Sequence, residues 1–299
     1  MGNCGQNTMI NLNFLKNIFL TFMNSSKKEE LESFQKRHEI PVTGKEDDLT
    51  YRLKELEKEA NIEKGAILCN GEFVPIEGVR VVQRLLPANC YKKVKNTRHP
   101  TMVVVHWDAA LSSKSCWDIL ANRGISTHFS IDNDGTIYQF ADTNDITWHA
   151  GPTKDDKVLL SKKNVHLDKS VSWNNVSIGI DISNAYYTKY GSVYEKRGFP
   201  KRPVIQSKCH GMKLEHLGYY PEQIESFTKL ISVLCSYYDI NMNCPRDDEN
   251  QLITTIYKDA CLGKFNGVVN HYNLTTNKID ASGFPLDDIF DNIKDNGEQ

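Results

Sequence analysis

Four consecutive apolar residues, Met102 to Val105, lead directly into His106. A short valine-rich run of this kind reads as a buried strand, and the imidazole that follows stands where the strand ends and opens onto a surface. Such a strand needs partners and apolar cover, and both are legible further along. VSIGIDIS reads as a second strand running to Asp181, and THFSIDNDGTIYQF as a hairpin turned by Asp134 and Gly135. SKSCWDILANRG predicts a short helix. From Pro221 through Tyr238, Ile224, Phe227, Ile231, Leu234 and Tyr238 recur on one helical face, with Pro221 suited to the first turn. Mixed strands with one strongly amphipathic helix predict an α/β fold, a mixed central sheet flanked by helices.

A second stretch carries the chemistry. In GVVNHYNLTTNKIDASGFP, His271, Lys278 and Asp280 fall within ten residues on a loop that no core requires. A neutral imidazole and a carboxylate nine positions apart can reach one borderline cation, and a lysine two before the carboxylate can reach whatever that cation binds. A zinc site needs a third protein ligand, for which His106 is the best candidate. The expected centre is therefore zinc on His106, His271 and Asp280, with the fourth position left to water. Taken alone, His106 at a strand end is more often a structural histidine, and Asp181 a hydrogen-bonded strand-end carboxylate. His149 and Trp148 of ITWHAG read as a groove wall that contacts sugar or peptide, although Trp148 fits a core equally well. His128 reads as structural, and His166, His210 and His216 need no role. No GxSxG elbow supports a serine nucleophile.

Composition excludes several classes. At 299 residues with 39% hydrophobic side chains, the chain can build one large or two modest domains. A net charge of −2 points to neither nucleic acid nor an anionic membrane. Eight scattered cysteines form no CxxC, which predicts free thiols. The apolar run at 11–23 is too short for a bilayer that needs about 20 apolar residues, and it lacks the basic flank of an export signal. Gln6 stands where a myristoylation signal wants Ser or Thr.

Six ordered blocks carry a family resemblance: VVVHWDA, STHFSIDNDGTIYQF, ITWHAGP, WNNVSIGIDISN, GYYPEQIESFTKLI and VVNHYNLTTNKIDASGFP. Together, from residue 100 to about 290, they resemble the zinc-dependent N-acetylmuramoyl-L-alanine amidases of the type 2 family, which includes phage lysozyme amidases, bacterial recycling amidases and animal peptidoglycan recognition proteins. The resemblance implies zinc on His106, His271 and Asp280, an assisting lysine at Lys278 and a proton-handling acid at Asp181. It implies hydrolysis of the amide between N-acetylmuramic acid and L-alanine in peptidoglycan. Some members of this fold bind peptidoglycan without cutting it, usually through loss of a zinc ligand; all three positions are filled here. Two departures stand out. Asp181 replaces the glutamate typical of recycling amidases, which sets its carboxylate about an ångström further from the reacting water. Thr127 replaces the tyrosine that phage enzymes carry before the hairpin histidine, at a position expected to meet substrate.

The expected organisation is a small helical module at 1–62, a bridge at 63–100, and a catalytic domain at 101–292 with an insertion around 186–218 in which little secondary structure is expected. The basic run Lys92, Lys93, Lys95 and Arg98 in the bridge fits anionic wall polymers or a solvated loop. Phe34, Gln35, Gly44, Asp47 and Thr50 resemble about half of the peptidoglycan-binding helical repeat found beside wall hydrolases. Gly44 with Arg52 and Leu53 also resembles the SAP helix-loop-helix of DNA-binding proteins, and a merely structural helix pair is a third reading. Glu46, Asp47 and Asp48 put negative charge where phosphate would lie, so the wall-binding reading is preferred and no nucleic acid is expected. With a wall substrate and neither membrane span nor export signal, the expectation is a phage-type lysin, carried in a particle or released at lysis. Oligomeric state is not legible.

Overall fold

The computed structural model describes residues 28–29, 31–33, 35–36, 40–47, 50 and 64–297. The expectations that fall on residues 1–27, Phe34, Asp48, Leu49 and residues 51–63 lie outside the described residues; they include the apolar run at 11–23 and the Arg52-Leu53 pair. The chain divides into two compact units, Met1–Ala60 and Asn61–Gln299.

In the first unit, the fully buried Gln35 organises a loop. Its Oε1 accepts from the backbone N–H of Thr43 at 2.9 Å and of Gly44 at 3.0 Å. Its Nε2 donates to the Lys45 carbonyl and the Thr50 hydroxyl, both at 2.9 Å. A primary amide offers two donors and an acceptor oxygen, so a loop bent through Gly44, at φ +62°, satisfies this side chain. Asp47 Oδ1 accepts from Thr50 N–H at 2.8 Å, the reach of a helix N-cap.

The second unit opens with the hairpin of β1 (Lys64–Cys69) and β2 (Glu72–Glu77), turned at Asn70 and Gly71 with φ of 49° and 80°. β3 (Val81–Gln83) and β4 (Tyr91–Lys92) precede β5 (Met102–Trp107) and α1 (Ser113–Arg123). β6 (Phe129–Ile131), β7 (Ile137–Gln139) and β8 (Ile146–Thr147) lead to α2 (Lys154–Ser161), α3 (Trp173–Val176) and β9 (Ser177–Ile182). Then follow α4 (Gly191–Lys196), β10 (Val204–Cys209), β11 (Met212–Leu217), α5 (Pro221–Tyr238), α6 (Lys258–Cys261), β12 (Gly267–Asn270) and α7 (Leu286–Gly297).

Six strands form one sheet in the order β12-β5-β9-β6-β7-β3. All its pairings are parallel except β6 with β7. Because alternate side chains leave a strand on opposite faces, MVVVHW serves two layers. Val103, Val105 and Trp107, with Ile178, Ile180 and Ile182 of β9, pack against Phe227, Ile231 and Leu234 of α5 and Phe290 of α7. Each such buried aliphatic or aromatic side chain contributes roughly 1.5–3 kcal/mol relative to exposure. On the other face, Met102, Val104 and Val269 pack against Leu160 of α2 and Trp173 of α3. His106 is the next residue on that second face.

Two segments differ from their sequence expectation. VRVVQRLL in the expected bridge reads as a strand, and β3 forms there, but it pairs in parallel with β7 as an edge of the main sheet. Arg98 of the basic run is buried, donating to the carbonyls of Asn174 at 3.1 Å and Ser177 at 2.5 Å, so it is neither a solvated nor a polymer-facing cation. The region 186–218 is also more ordered than expected. β10 and β11 form a hairpin closed at His210 and Gly211, both with positive φ. Arg202 anchors the region, donating to the carbonyls of Gly218 and Ser183 and to Asn133 Oδ1, between the rings of Tyr194 and Tyr220.

Candidate metal centre

The carboxyl ends of parallel strands are where an α/β sheet leaves room for a ligand, since the strands stop and the loops diverge. Here β5 presents His106 in its last turn of pleat, β9 presents Asp181, and His271 follows β12 directly. The loop after β12 then returns Asp280, whose carbonyl accepts from Tyr272 N–H at 3.0 Å. Three atoms converge. His106 Nδ1, His271 Nδ1 and Asp280 Oδ2 lie 3.0 Å from one another, pair by pair, and all three residues are buried.

The electrostatics suit a cation at this point. Burial, with the neighbouring His271, pushes the His106 pKa down to about 4 despite the opposing pull of Asp280, which leaves a neutral imidazole. Burial works against the Asp280 carboxylate, yet His271 and His106 outweigh it and hold its pKa far below the ordinary range. The donor set is thus two imidazoles and one carboxylate. It matches zinc, which takes nitrogen and oxygen donors in fours with one position open in catalytic sites. Calcium and magnesium prefer six or more oxygens.

Asp181 is the β9 partner of His106 in the β5–β9 register. Burial, then the charges of Asp108 and Asp280, raise its pKa well above the carboxylate range. The Cys116 thiol of α1 donates to its Oδ2 at 3.6 Å. Lys278 is exposed, and its charge is felt at both His106 and Asp181. Its loop is tied from two sides. Thr275 Oγ1 and Asn277 Nδ2 donate to Asp156 Oδ1 of α2 at 2.6 and 3.1 Å, and His210 Nε2 donates to the Lys278 carbonyl at 3.1 Å.

The three residues expected to meet substrate separate. Trp148 is 41% exposed, which removes the core alternative. Thr127 is enclosed, 1% exposed, with its hydroxyl beside Gly179 and unpartnered among the described residues. His149 is half-buried and directs both ring nitrogens inward: Nδ1 to His106 Nε2 at 3.0 Å and Nε2 to Ser177 Oγ at 3.2 Å. The two residues of the expected groove wall thus part, Trp148 facing outward and His149 turned toward His106. His128 is held by the Asp145 carbonyl on one nitrogen and by Thr147 and Gly179 on the other, as a structural residue should be. Asp156 has no place in the sequence reading, and His210 is read there as needing no role. A Thr-x-x-Asp capping box, Thr153 to Asp156, marks the first; no local signal marks the second.

A parallel-edged α/β sheet with a buried His-His-Asp cluster at its strand ends defines a candidate hydrolytic metal centre. Residues 96–282 match the N-acetylmuramoyl-L-alanine amidase family. The chain belongs to this family of peptidoglycan amidases. Among solved structures it is similar to N-acetylmuramoyl-L-alanine amidase LysC from Clostridium intestinale URNW, at 17% identity over 68% of this chain and 96% of that one, with a TM-score of 0.34. A selenomethionine derivative of AmpD is 17% identical over 69% and 87%, TM-score 0.34. The Ph2119 endolysin from Thermus scotoductus MAT2119 bacteriophage Ph2119 is 13% identical over 71% and 97%, TM-score 0.36. A comparison with curated proteins gives no match.

Proposed function

We propose that this chain cleaves the amide between the lactyl group of N-acetylmuramic acid and the L-alanine of the stem peptide, using zinc held by His106, His271 and Asp280. The observation that carries the reading is the triangle of three donor atoms at 3.0 Å, drawn from segments as far apart as residues 106 and 280. Three lone-pair donors at that spacing are poorly satisfied by protons and well satisfied by one divalent ion. When bound, zinc supplies a water of pKa about 7 and polarises the scissile carbonyl. Asp181 accepts the proton of the attacking water and passes it to the departing amine; burial and the charges of Asp108 and Asp280 raise its pKa, which favours the proton it must hold before giving it up. Lys278 donates to the oxyanion that develops on the carbonyl, an interaction typically worth about 3 kcal/mol of barrier per donor. Trp148, exposed beside His149, offers a flat apolar face to sugar or peptide.

The N-terminal unit is read as a wall-binding module. The support is that Gln35, Gly44, Asp47 and Thr50, four positions of the motif, meet in one hydrogen-bonded loop. With a wall substrate, the reading for the whole chain is a lysin that acts at the bacterial cell wall. No helix among the described residues is long and apolar enough to cross a membrane. The deciding experiment digests purified peptidoglycan and identifies the new termini by mass spectrometry. Free L-alanine amines with intact muramic acid are expected; new reducing sugar ends or cleaved peptide bonds would refute the assignment. Co-sedimentation with purified walls, against salt-dependent binding to duplex DNA, separates the wall and SAP-like readings of the module.

A further inference from the structure

We propose that His149 is a positioning residue that fixes the tautomer of His106, through a hydrogen-bond chain ending on the Trp173 carbonyl, so that the Nδ1 lone pair of His106 faces the metal. This rests on the reading of His106, His271 and Asp280 as the zinc ligands.

The direction of the chain follows from its far end, without reference to the metal. A carbonyl oxygen only accepts, so the Ser177 hydroxyl donates to Trp173 O at 2.6 Å. A hydroxyl carries one proton, so toward His149 Nε2, 3.2 Å away, Ser177 Oγ is the acceptor and Nε2 bears the N–H. Among the described residues His149 has no carboxylate hydrogen-bond partner, and a neutral imidazole has a single N–H. Its Nδ1 is therefore a bare acceptor. The 3.0 Å contact of that Nδ1 with His106 Nε2 then puts the proton on His106 Nε2. What remains on His106 Nδ1 is a lone pair, and this is the atom 3.0 Å from both His271 Nδ1 and Asp280 Oδ2.

Two features hold His149 in this place. Asn174 Oδ1 accepts from the backbone N–H of His149, Ala150 and Gly151 at 3.2, 2.8 and 3.2 Å, which pins the turn that carries the ring. Gly179, in the middle of β9, makes the space: a Cβ there would lie 2.7 Å from His149 Cγ and Nδ1. A glycine inside a strand marks such a close approach. Histidine ligands commonly donate their outer N–H to a carboxylate or carbonyl, and loss of that partner costs about 10–100-fold in metal affinity. Here the partner is a second imidazole that is itself oriented by Ser177.

The test measures zinc affinity of the full-length protein by competition with a chromophoric chelator, for wild type, His149→Leu, His149→Asn and Gly179→Ala. Asparagine keeps an acceptor near the position of Nδ1; leucine removes it. The expected result is about 10–100-fold weaker binding in His149→Leu and Gly179→Ala, with recovery in His149→Asn. Wild-type affinity in His149→Leu overturns the proposal and leaves the metal site standing. A wild-type protein that binds no zinc overturns the metal reading and the proposal with it. The tautomers are also read without any substitution, from long-range proton–nitrogen correlation spectra of zinc-loaded protein labelled with nitrogen-15 histidine. Nε2–H on both His106 and His149 is expected; Nδ1–H on His149 overturns the proposal.

Discussion

His106 and Asp181 are register partners on adjacent parallel strands, and both leave the sheet on the face opposite the apolar layer packed by α5. Strand spacing of about 4.8 Å thus brings a candidate ligand and a candidate proton carrier to one spot without any loop having to fold correctly. The backbone register places Asp181; burial and the charges of Asp108 and Asp280 tune it.

Replacing Asp181 by Asn is expected to lower kcat by about 10²–10⁴ while zinc content is retained. A base is active when deprotonated, so activity should rise with pH through the raised Asp181 value, well above the ordinary carboxylate range. That acid limb should vanish in the variant. The fold favours the protonated form, so metal-free protein should lose stability as pH rises from the unfolded carboxylate value through the raised one. Urea titrations of wild type and Asp181→Asn across that window check the sign. An unchanged pH profile in the variant removes Asp181 from the reaction.

Metal removal should act on stability as well as turnover. A ligand bound only by the native state stabilises by about 2.7 kcal/mol at 100 times its Kd. Dialysis against a chelator is therefore expected to lower Tm and abolish amidase activity, with zinc restoring both. His271→Ala removes one of the three donors and should make Tm insensitive to zinc. Identical melting curves with and without chelator for the wild type would count against the centre.

Lys278→Ala is expected to lower kcat by about 10²–10³ with little change in KM, because the donor acts on charge that develops only in the transition state. Steady-state kinetics on a soluble muramyl peptide separates the two constants. A rise in KM alone would make Lys278 a substrate-binding residue.

The sheet strands and the amphipathic helix were legible because each depends on local pattern, whereas the candidate trio of His106, His271 and Asp280 meets from segments far apart in the chain. Valine-rich runs, a 3-4 spacing on α5 and a histidine at a strand end are written within a few residues of each other. Other elements were not. The hairpin of β10 and β11 closes on His210 and Gly211 at positive φ, but His-Gly is a weaker turn signal than Asn-Gly or Asp-Gly. VRVVQRLL reads as a strand, and β3 forms there, but its place at the sheet edge is set by pairing with β7, more than fifty residues away. The inward turn of His149 depends on Gly179 and Ser177 of another strand, so ITWHAG alone could not distinguish it from a groove wall.

Gly135 gives a test of how the β6–β7 turn docks on α5. It sits at φ +81°, and a Cβ there would lie 2.8 Å from the Glu222 carbonyl and the Ser226 hydroxyl. Gly135→Ala combines backbone strain with a backbone clash, so a loss of about 1–3 kcal/mol is expected. Thermal unfolding of the zinc-loaded protein measures it. A change under 0.5 kcal/mol would mean that the turn and the helix move apart at no cost.

The last expectation concerns the hairpin of β10 and β11, where sequence gave His210 no role. Its Nε2 donates to the carbonyl of Lys278, and the strands beside it press on the end of the same loop: a Cβ on Gly283 would meet Ile205 Cδ1 at 2.7 Å. On the opposite side Asp156 holds Thr275 and Asn277. Removing one of two restraints lets Lys278 wander while leaving His106, His271 and Asp280 in place, and small misplacements of a catalytic group can cost up to about 10²-fold. His210→Ala should therefore lower kcat by about 10-fold with zinc affinity unchanged, and combining it with Lys278→Ala should add little further loss, because both act through one side chain. Fully multiplicative effects in the double variant would show that His210 acts on something other than Lys278.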